Sequence, residues 1–271
     1  HSGPDAHVGP SPALRVRKLT PLCPPLARGE VDRSLTLPAR IRFVEVARAE
    51  ARGSLGFFGP RGLKPAAQEI EMGLFDQHLH SRHSFDCKTE PRANVESAIA
   101  KGLSGLTFTE HFDTHPDDWE LCVFNDADCS ATIARLREEF GGAIFVGKGI
   151  EVCYQPGTMD YVLNFLDRHR FDLVILSVHY FGGVTVHQRE HWEGVEAVEG
   201  TRRYLEYVLE AVRFCEGLHL SRGRRVFDVL GHLDLAKRYT QRFLGSYDMS
   251  PFAGLIDEIL SACLAADLTL E

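Results

Sequence analysis

The stretch Phe75-Asp76-Gln77-His78-Leu79-His80-Ser81 carries two histidines at the end of a short apolar run. Side chains alternate between the two faces of a β-strand, so a strand over residues 74–80 places His78 and His80 on one face and Leu79 on the other. Two neighbouring imidazoles at a strand end are half of a metal site. The chain holds 13 histidines, so this pair needs support from other strand ends.

Composition predicts a globular protein of the cytoplasm. The 271 residues are 44% hydrophobic, enough to bury a sizeable core. No apolar run approaches the roughly 18–20 residues of a transmembrane helix, and the N-terminus lacks the basic and apolar blocks of a signal peptide. Seven scattered cysteines without a Cys-x-x-Cys pair argue against a disulfide framework or zinc ribbon and favour a reducing compartment.

Charge is distributed unevenly along the chain. Residues 1–71 hold 11 Lys+Arg and 7 Asp+Glu, a balance of +4, and the remainder holds 19 against 31, a balance of −12, which together give the net −8. This acidic body argues against nucleic acid as a partner. It is compatible with an anionic substrate, because bound divalent ions can invert the local field.

Residues 1–71 differ in composition from the rest. They contain 9 of the 13 prolines and show no sustained periodicity apart from a short amphipathic stretch at 41–51. Such sequence is typical of a linker or disorder. The first methionine is Met72. We expect residues 1–71 to be a disordered or non-native extension and the natural protein to start at Met72; the alternative is a genuine flexible, basic extension.

From residue 72 onward, strand and helix patterns alternate. Strands are predicted at 74–80, 105–109, 143–150, 172–178 and 225–230, with a sixth beginning at 268–271. Helices are predicted at 91–101, 126–140, 158–169, 201–217 and 251–265. The loop at 181–200 is long enough to be functional or mobile. This alternation predicts an α/β protein with a parallel sheet.

Residues with metal-binding chemistry follow the strands repeatedly. They are His78, His80, His111, Glu151, His179 and His232. The strand ends of a closed β/α barrel converge on one mouth, whereas those of an open sheet spread along a crevice. Successive strands that each supply a ligand favour the barrel. No strand is followed by a glycine-rich phosphate loop, which excludes the dinucleotide-binding and P-loop classes.

Imidazoles and carboxylates without thiolates suit zinc, manganese or iron. The number of these groups exceeds the three or four ligands of one catalytic zinc, so more than one ion is expected, with Glu151 placed to bridge two. Two ions roughly 3.5–4 Å apart can hold a phosphate and activate water, which predicts hydrolysis of a phosphate ester. The alternative for any one histidine is a helix cap or a hydrogen bond to a carbonyl.

These motifs resemble one family in their order and approximate spacing. The segments are Phe75–Ser81, Thr109-Glu110-His111, Gly149-Ile150-Glu151, Ser177-Val178-His179-Tyr180 and Gly231-His232-Leu233-Asp234-Leu235. Together they resemble the polymerase and histidinol phosphatase (PHP) superfamily, and the last two resemble its histidinol-phosphatase branch. The resemblance implies a distorted (β/α)7 TIM-like barrel with two or three divalent ions. It also implies hydrolysis of L-histidinol phosphate in histidine biosynthesis.

The resemblance also implies roles for single residues. His78 and His80 correspond to ligands of a first ion, Glu151 to its bridge to a second, Asp86 and His111 to ligands of another ion, and His179 and His232 to ligands of the remaining one. Glu110 and Asp234 correspond to groups that orient neighbouring imidazoles. Arg238 is the candidate for binding phosphate oxygens. Asp86 also suits an ordinary polar turn, and Arg238 an ordinary surface position.

The long loop and the end of the chain leave questions open. His187, His191 and Trp192 either help to enclose a substrate or decorate a mobile surface, and the second interpretation is simpler for each alone. The family supplies its last ligands as Asp-x-His after a seventh strand, and no such motif follows His232. We therefore expect a C-terminally truncated barrel that is poorly active and aggregation-prone.

Two other functions fit the same motifs. One is hydrolysis of a different phosphoester, such as phosphotyrosine or a nucleotide, by another member of the superfamily. The other is metal binding without catalysis. The sequence does not distinguish the metals, and it leaves the oligomeric state open.

Overall fold

The computed structural model describes residues 73–122, 124–245 and 248–271. The predicted extension at 1–71 lies outside these residues and stays a prediction. Among the helices that are described, none combines the length and the apolar character needed to span a bilayer.

Eight strands and six α-helices alternate along the described chain. The strands are β1 (Phe75–Leu79), β2 (Gly105–Phe112), β3 (Phe145–Cys153), β4 (Leu173–Ser177), β5 (Tyr180–Phe181), β6 (Val184–Thr185), β7 (Val229–Leu230) and β8 (Thr269–Leu270). The helices are α1 (Pro91–Ala100), α2 (Asp126–Phe140), α3 (Met159–Arg168), α4 (Ala197–Arg222), α5 (Leu235–Leu244) and α6 (Ala253–Ala265). The predicted α/β alternation is confirmed.

The main sheet is a curled, parallel sheet in chain order. Its strands lie in the order β1-β2-β3-β4-β7-β8, and every neighbouring pair is parallel. In a doubly wound sheet the strand order reverses near the middle of the sheet, whereas in a barrel the strands follow one another in chain order. Glu271, which follows β8, reaches within 3.0 Å of His78 on β1, so the curl brings the first and last strands of the described sheet together. This confirms the predicted TIM-like barrel architecture.

The inner face of the barrel is shaped by the register of β2 and β3. Thr107 lies opposite Gly147, and four residues later His111 lies opposite Glu151. A Cβ built on Gly147 would lie 2.4 Å from Oγ1 of Thr107, so only glycine fits there. The interior is therefore narrow and filled at the level of Thr107 and Gly147. The side chains of His111 and Glu151 lie one level higher, at the mouth of the barrel.

Helices cover the outer face with apolar side chains at helical spacing. Asn125 is the N-cap of helix α2, and its side chain accepts the backbone N–H of Asp128 at 3.2 Å, which caps the first turn. Its residues Ile133 and Leu136 are buried in the core shared with the strands. The core thus fixes the backbone positions from which the strand ends project.

The segment predicted as a long loop is largely ordered. Strands β5 and β6 form an antiparallel hairpin whose turn, Gly182-Gly183, has φ values of 63° and 83°, which glycine adopts without strain. Trp192 is buried, and its indole N–H donates to the carbonyl of Val186 at 2.8 Å. The interpretation of Trp192 as a mobile-surface residue is therefore wrong, because its ring is part of the core.

Helix boundaries after the hairpin also differ from the prediction. Helix α4 was expected at 201–217 but extends further at both ends, and it ends at Gly223 with φ 64°. Gly200 lies within the helix because Trp192 packs against it: a Cβ there would lie 2.8 Å from Cζ3 of the indole. Helix α5 was not predicted, and the strand expected at 225–230 is confined to β7.

Candidate metal centre

Glu151 is the centre of the cluster at the mouth of the barrel. Its side chain is buried, with 1% exposed. Three imidazole nitrogens surround its Oε1 atom: Nε2 of His78 at 3.2 Å, Nε2 of His179 at 3.1 Å and Nε2 of His232 at 2.8 Å. These rings come from the ends of β1, β4 and β7, so three strands converge on one carboxylate oxygen.

The other oxygen of Glu151 faces two further histidines. Nε2 of His80 lies 3.4 Å and Nδ1 of His111 lies 3.1 Å from Oε2. The two rings stack, with centroids 4.2 Å apart. The structure thus brings all five predicted histidines to the predicted glutamate, three on one oxygen and two on the other.

The remaining predicted residues lie farther out. Asp86 is at the rim, with half of its side chain exposed and Oδ2 3.5 Å from Nε2 of His111. Asp234 occupies the N-cap of α5, and Arg238 lies one turn later in the same helix; both are exposed. Neither contacts the cluster of histidines in the described structure. The phosphate-binding role of Arg238 stays a prediction.

Asp113 belongs to the cluster and was missed by the sequence analysis. Its Oδ2 lies 3.0 Å from Nδ1 of His179, and its Oδ1 lies 4.0 Å from Nδ1 of His111. The signal was available, because the spacing His111-x-Asp113 at the end of β2 repeats the spacing of the His-x-His pair at the end of β1, and residues two apart in extended chain point to the same side.

Serine side chains form hydrogen bonds to the candidate ligands and to a buried carboxylate beside them. Ser177 donates its hydroxyl to Oε1 of Glu151 at 2.6 Å. Glu110, predicted to orient an imidazole, is fully buried and accepts the hydroxyls of Ser81 at 2.5 Å and Ser84 at 2.6 Å. It therefore reaches His80 through Ser84, whose Oγ lies 3.3 Å from Nδ1 of that histidine.

The cluster keeps its central carboxylate ionised. Burial alone would raise the pKa of Glu151, but the positive charges available to His78 and His179, with hydrogen bonds from His179 and His232, hold that pKa well below its usual value. Burial likewise opposes the charged form of His179, but Asp113 and Glu151 outweigh it and raise the pKa of that imidazole. Glu151 is thus available as an anion at neutral pH.

Other imidazoles in the cluster are kept neutral. Burial lowers the pKa of His80 to about 4, although the charge of Glu151 opposes the shift. Burial also lowers the pKa of His232. Neutral imidazoles have a free nitrogen lone pair and are the form that binds metal.

The donor atoms are spaced as ligands of shared cations. Two atoms each about 2.1 Å from an ion and separated by an angle of 90–109° lie roughly 3.0–3.4 Å apart, close to the distances around Glu151. Three buried side-chain atoms of the cluster have no hydrogen-bond partner within the described residues: Oε2 of Glu151, Nδ1 of His111 and Oδ1 of Asp113. Buried polar atoms left without partners are costly, and a cation between them removes that cost. These residues therefore fit divalent metal ions.

Fold and site together define an α/β-barrel protein whose strand-end histidines and carboxylates form candidate metal-binding clusters. Residues 76–271 match the family model described as the PHP domain. The chain belongs to the PHP family.

Its relatives and structural neighbours agree with that assignment. It is 31% identical over 200 residues to a probable histidinol-phosphatase of Deinococcus radiodurans, with 72% of each chain covered. It is 30% identical over 201 residues to the histidinol-phosphatase of Lactococcus lactis, covering 74% of this chain and 71% of that one.

Two solved structures resemble the fold. The Lactococcus lactis histidinol phosphate phosphatase, complexed with zinc, L-histidinol and phosphate, matches with a TM-score of 0.64 at 30% identity over 72% of this chain and 71% of that one. A histidinol phosphatase from Listeria monocytogenes, described as putative, matches with a TM-score of 0.58 at 17% identity, over 72% of this chain and 80% of that one, and supports the fold alone.

Proposed function

We propose that this protein is a metal-dependent phosphomonoester hydrolase that converts L-histidinol phosphate and water to L-histidinol and phosphate. The observation that carries this proposal is the arrangement of five imidazoles on the two oxygens of one buried glutamate. The Lactococcus lactis neighbour, which is complexed with zinc, histidinol and phosphate, supports both the metal chemistry and the substrate.

We assign the ligands by the oxygen of Glu151 that they face. The first half of the cluster is defined as Oε1 with His78, His179 and His232, and the second half as Oε2 with His80 and His111. The resemblance pairs His78 with His80 on one ion, and the centroids of these two rings lie 5.4 Å apart, the same separation as those of His78 and His232. Asp86 and Asp113, which both lie near His111, are candidates for completing the second half or holding a third ion.

The residues of this chain hold and orient the reacting components. When bound, divalent ions polarise the phosphoryl oxygens and lower the pKa of water, which supplies a nucleophile. Glu151 bridges the two halves and keeps its negative charge, because its pKa is depressed. Asp113 holds Nδ1 of His179, which leaves Nε2 of that ring directed at Glu151. The buried cluster thus presents fixed ligands at an open mouth.

The substrate preference and the dependence on Glu151 test this function. The metal-loaded protein is incubated with L-histidinol phosphate, phosphotyrosine and AMP, and phosphate release is measured with and without a chelator. We expect preference for L-histidinol phosphate, loss with the chelator, and a decrease of at least about 100-fold in Glu151→Gln. The deciding quantities are the substrate preference and the ratio of the turnover of the variant to that of the wild type.

A matched variant and the contrary outcomes complete the test. Glu258→Gln removes an exposed glutamate that pairs with Arg213 on the outer helices, and it should leave turnover unchanged. Preference for phosphotyrosine or AMP would identify a different phosphoesterase of the same family. Bound metal without phosphate release from any substrate would favour the non-catalytic function.

We also propose that the protein acts in the cytoplasm. The cysteines of the described chain, which include the buried Cys129 and Cys153, are free thiols. Free thiols are expected in a reducing compartment. Immunofluorescence or cell fractionation with the native gene product tests this localisation, and recovery outside the cytoplasm would contradict it.

A further inference from the structure

The turn that follows β1 places an aromatic ring on the rim of the metal centre. The ring belongs to Phe85, a residue that is 48% exposed. It lies against the imidazole of His111, with centroids 5.5 Å apart and ring planes inclined by 41°. Single exposed apolar residues are ordinary on protein surfaces. Phe85 differs from them because it stands beside a candidate ligand, at the mouth through which a substrate reaches the site.

Hydrogen bonds hold this turn on both sides of Phe85. Before it, the hydroxyl of the buried Ser84 accepts the backbone N–H of His111 at 3.0 Å. After it, the backbone N–H of Cys87 donates to the carbonyl of Ser84 at 3.3 Å, and Oδ2 of Asp86 lies 3.5 Å from Nε2 of His111. The phenyl ring is therefore held at a defined place on the rim, which reduces the entropy lost when a ligand binds against it.

The segment that follows the β5–β6 hairpin forms another part of the mouth. The backbone N–H of Val186 donates to the carbonyl of His179 at 2.9 Å, which keeps the next residue, His187, close to that candidate ligand. The ring of His187 lies 6.3 Å from that of Tyr239 on α5, centroid to centroid. Burial lowers the pKa of His187, and the charge of Asp86 is among those that oppose the shift. The turn after β1 and this segment therefore flank the mouth within electrostatic range of each other.

The two ends of the proposed substrate suit two different parts of this mouth. In L-histidinol phosphate the phosphate and the imidazole ring lie at opposite ends of a short chain that carries an amino group. With the phosphate at the metal centre, the imidazole is directed outward to the rim. A heteroaromatic ring packs favourably against a phenyl ring, and a protonated imidazole adds a cation–π attraction.

We propose that Phe85 is a specificity-determining residue whose ring packs against the imidazole of the substrate. It would thereby select phosphate esters that carry an aromatic side chain. This inference rests on the proposed function and deepens it, because it assigns the recognition of the part of the substrate that is remote from the phosphate. Esters without such a side chain leave the phenyl ring in contact with water and gain nothing from it.

Two substrates that differ in the side chain test the role of Phe85. L-histidinol phosphate is compared with O-phosphoethanolamine, which keeps the amine and the phosphate ester but lacks the imidazole. In Phe85→Ala we expect kcat/KM for L-histidinol phosphate to fall about 10-fold and that for O-phosphoethanolamine to stay unchanged. The fall should lie in KM with kcat unchanged, because a contact remote from the phosphorus atom is made equally in the ground state and in the transition state.

Matched variants separate the ring contact from other effects of the substitution. Phe85→Tyr keeps an aromatic ring and should keep the wild-type preference, whereas Phe85→Leu should lose most of it. Phe145→Ala removes a phenylalanine of nearly equal exposure, 49%, at the start of β3 and away from the mouth, and it should affect neither substrate. Metal content, measured by elemental analysis, should be the same in every variant, since Phe85 supplies no ligand atom.

Calorimetric titration of the Zn²⁺-loaded protein with L-histidinol tests the same contact without turnover. Phe85→Ala should weaken this binding about 10-fold. Equal losses for both substrates in Phe85→Ala, wild-type affinity for L-histidinol in Phe85→Ala or Phe85→Leu, or a wild-type protein that does not bind L-histidinol would overturn the inference. Binding of L-histidinol that depends on Phe85, without phosphate release from either substrate, would support the inference and contradict the proposed function.

Discussion

Gly231 packs so closely against Ser177 and Ile175 that a side chain at this position would disturb both the fold and the metal centre. A Cβ at this position would lie 2.6 Å from Oγ of Ser177 and 2.9 Å from Cγ2 of Ile175. Ser177 donates to Oε1 of Glu151 at 2.6 Å, so its displacement moves the central carboxylate. The sequence presents Gly231 only as part of a family motif, whereas the structure gives the steric reason for it.

Gly231→Ala should therefore destabilise the protein and weaken metal binding together. We expect a loss of about 1–3 kcal/mol in the free energy of unfolding, typical of overpacking, measured by urea titration. Metal affinity, measured by chelator competition, should also fall. Gly254→Ala is the control, because a Cβ there meets nothing within 4 Å. Unchanged metal affinity in Gly231→Ala would show that Ser177 does not transmit the displacement to Glu151.

Asp228, just before β7, gives the stability a pH dependence that is independent of the metal centre. Its carboxylate accepts the backbone N–H of Val174 at 2.8 Å and pairs with Arg225 at 3.0 Å. Burial nevertheless raises the pKa of Asp228, against the effects of these partners. Because its folded-state pKa exceeds the unfolded value of 3.8, the folded protein takes up this proton first as the pH falls.

Comparison of the wild-type protein with Asp228→Asn tests the direction of this pH dependence of stability. The contribution of Asp228 to the free energy of unfolding should grow as the pH falls through the folded-state pKa and be complete below the unfolded value. The wild-type protein should therefore gain stability relative to Asp228→Asn between pH 7 and pH 4. Urea unfolding of both metal-free proteins at several pH values measures the difference. A relative loss over this range would mean that Arg225 and Val174 dominate.

At the scale of elements, the strands and helices with a clear hydrophobic pattern could be predicted from the sequence. Helix boundaries that depend on tertiary contacts could not. Strand β4 is an apolar run covered on both faces, and its existence was clear from that pattern. Gly200 and Gly217 were interpreted as the limits of a helix, yet α4 continues through both. Gly200 contacts Trp192, which lies eight residues earlier outside the helix, and no hydrophobic period indicates that contact.

Helix α5 was missed for a different reason. Its apolar residues Leu235, Tyr239 and Phe243 recur every four positions and pack against the core, so the periodic signal was present. Three basic residues within the same ten positions lowered the apolar content of the window. The spacing of these apolar residues was therefore sufficient to predict the helix.

Gly217 offers a direct test of the assignment of α4. It lies in the helix interior, is exposed, and has nothing within 4 Å of a Cβ built on it. Gly217→Ala should stabilise the protein by about 0.5–1 kcal/mol, because alanine restricts the unfolded chain and favours the helix. Urea unfolding measures this gain. The same change at Gly223, which has φ 64°, should destabilise, and stabilisation at both sites would contradict the observed helix end.

At the scale of the whole molecule, the sequence located the metal centre but not all of its members. The histidines and Glu151 were recognisable because each lies at or just after the C-terminal end of a strand, and a barrel brings such positions together. Glu271 follows its strand in the same way, but only the curl of the sheet places it beside His78. Ser84 lies in a turn with no periodic signal, so its contact with His80 was not predictable.

The barrel also exposes features that bear on solubility. In the described chain β1 and β8 are the edges of the main sheet, and Leu264 and Leu270 near β8 are exposed. Unpaired strand edges beside exposed apolar side chains favour association between copies. The predicted tendency to aggregate stays a prediction, and light scattering at increasing concentration tests it.

Metal binding should stabilise the whole barrel because the ligands come from strands that span the sheet. Three of these ligands lie within strands near their C-terminal ends: His78 in β1, His111 in β2 and Glu151 in β3. His232 follows β7, so unfolding any of these strands removes a ligand. One ion at 100 times its Kd adds about 2.7 kcal/mol to the free energy of unfolding. In a domain of this size each kcal/mol raises Tm by roughly 2–4 °C, so saturation of one ion should raise Tm by roughly 5–10 °C.

Calorimetry of metal-free and Zn²⁺-loaded protein measures this coupling. The increase in Tm should be lost in Glu151→Gln, which lacks the shared anion, and retained in Glu258→Gln, which changes only an exposed ion pair. An unchanged Tm in protein shown by elemental analysis to hold the ions would mean that the ligands keep their affinity in the unfolded chain. Because histidine and glutamate ligands scattered over more than 150 residues form no preassembled site without the fold, we expect the ions and the barrel to stabilise each other.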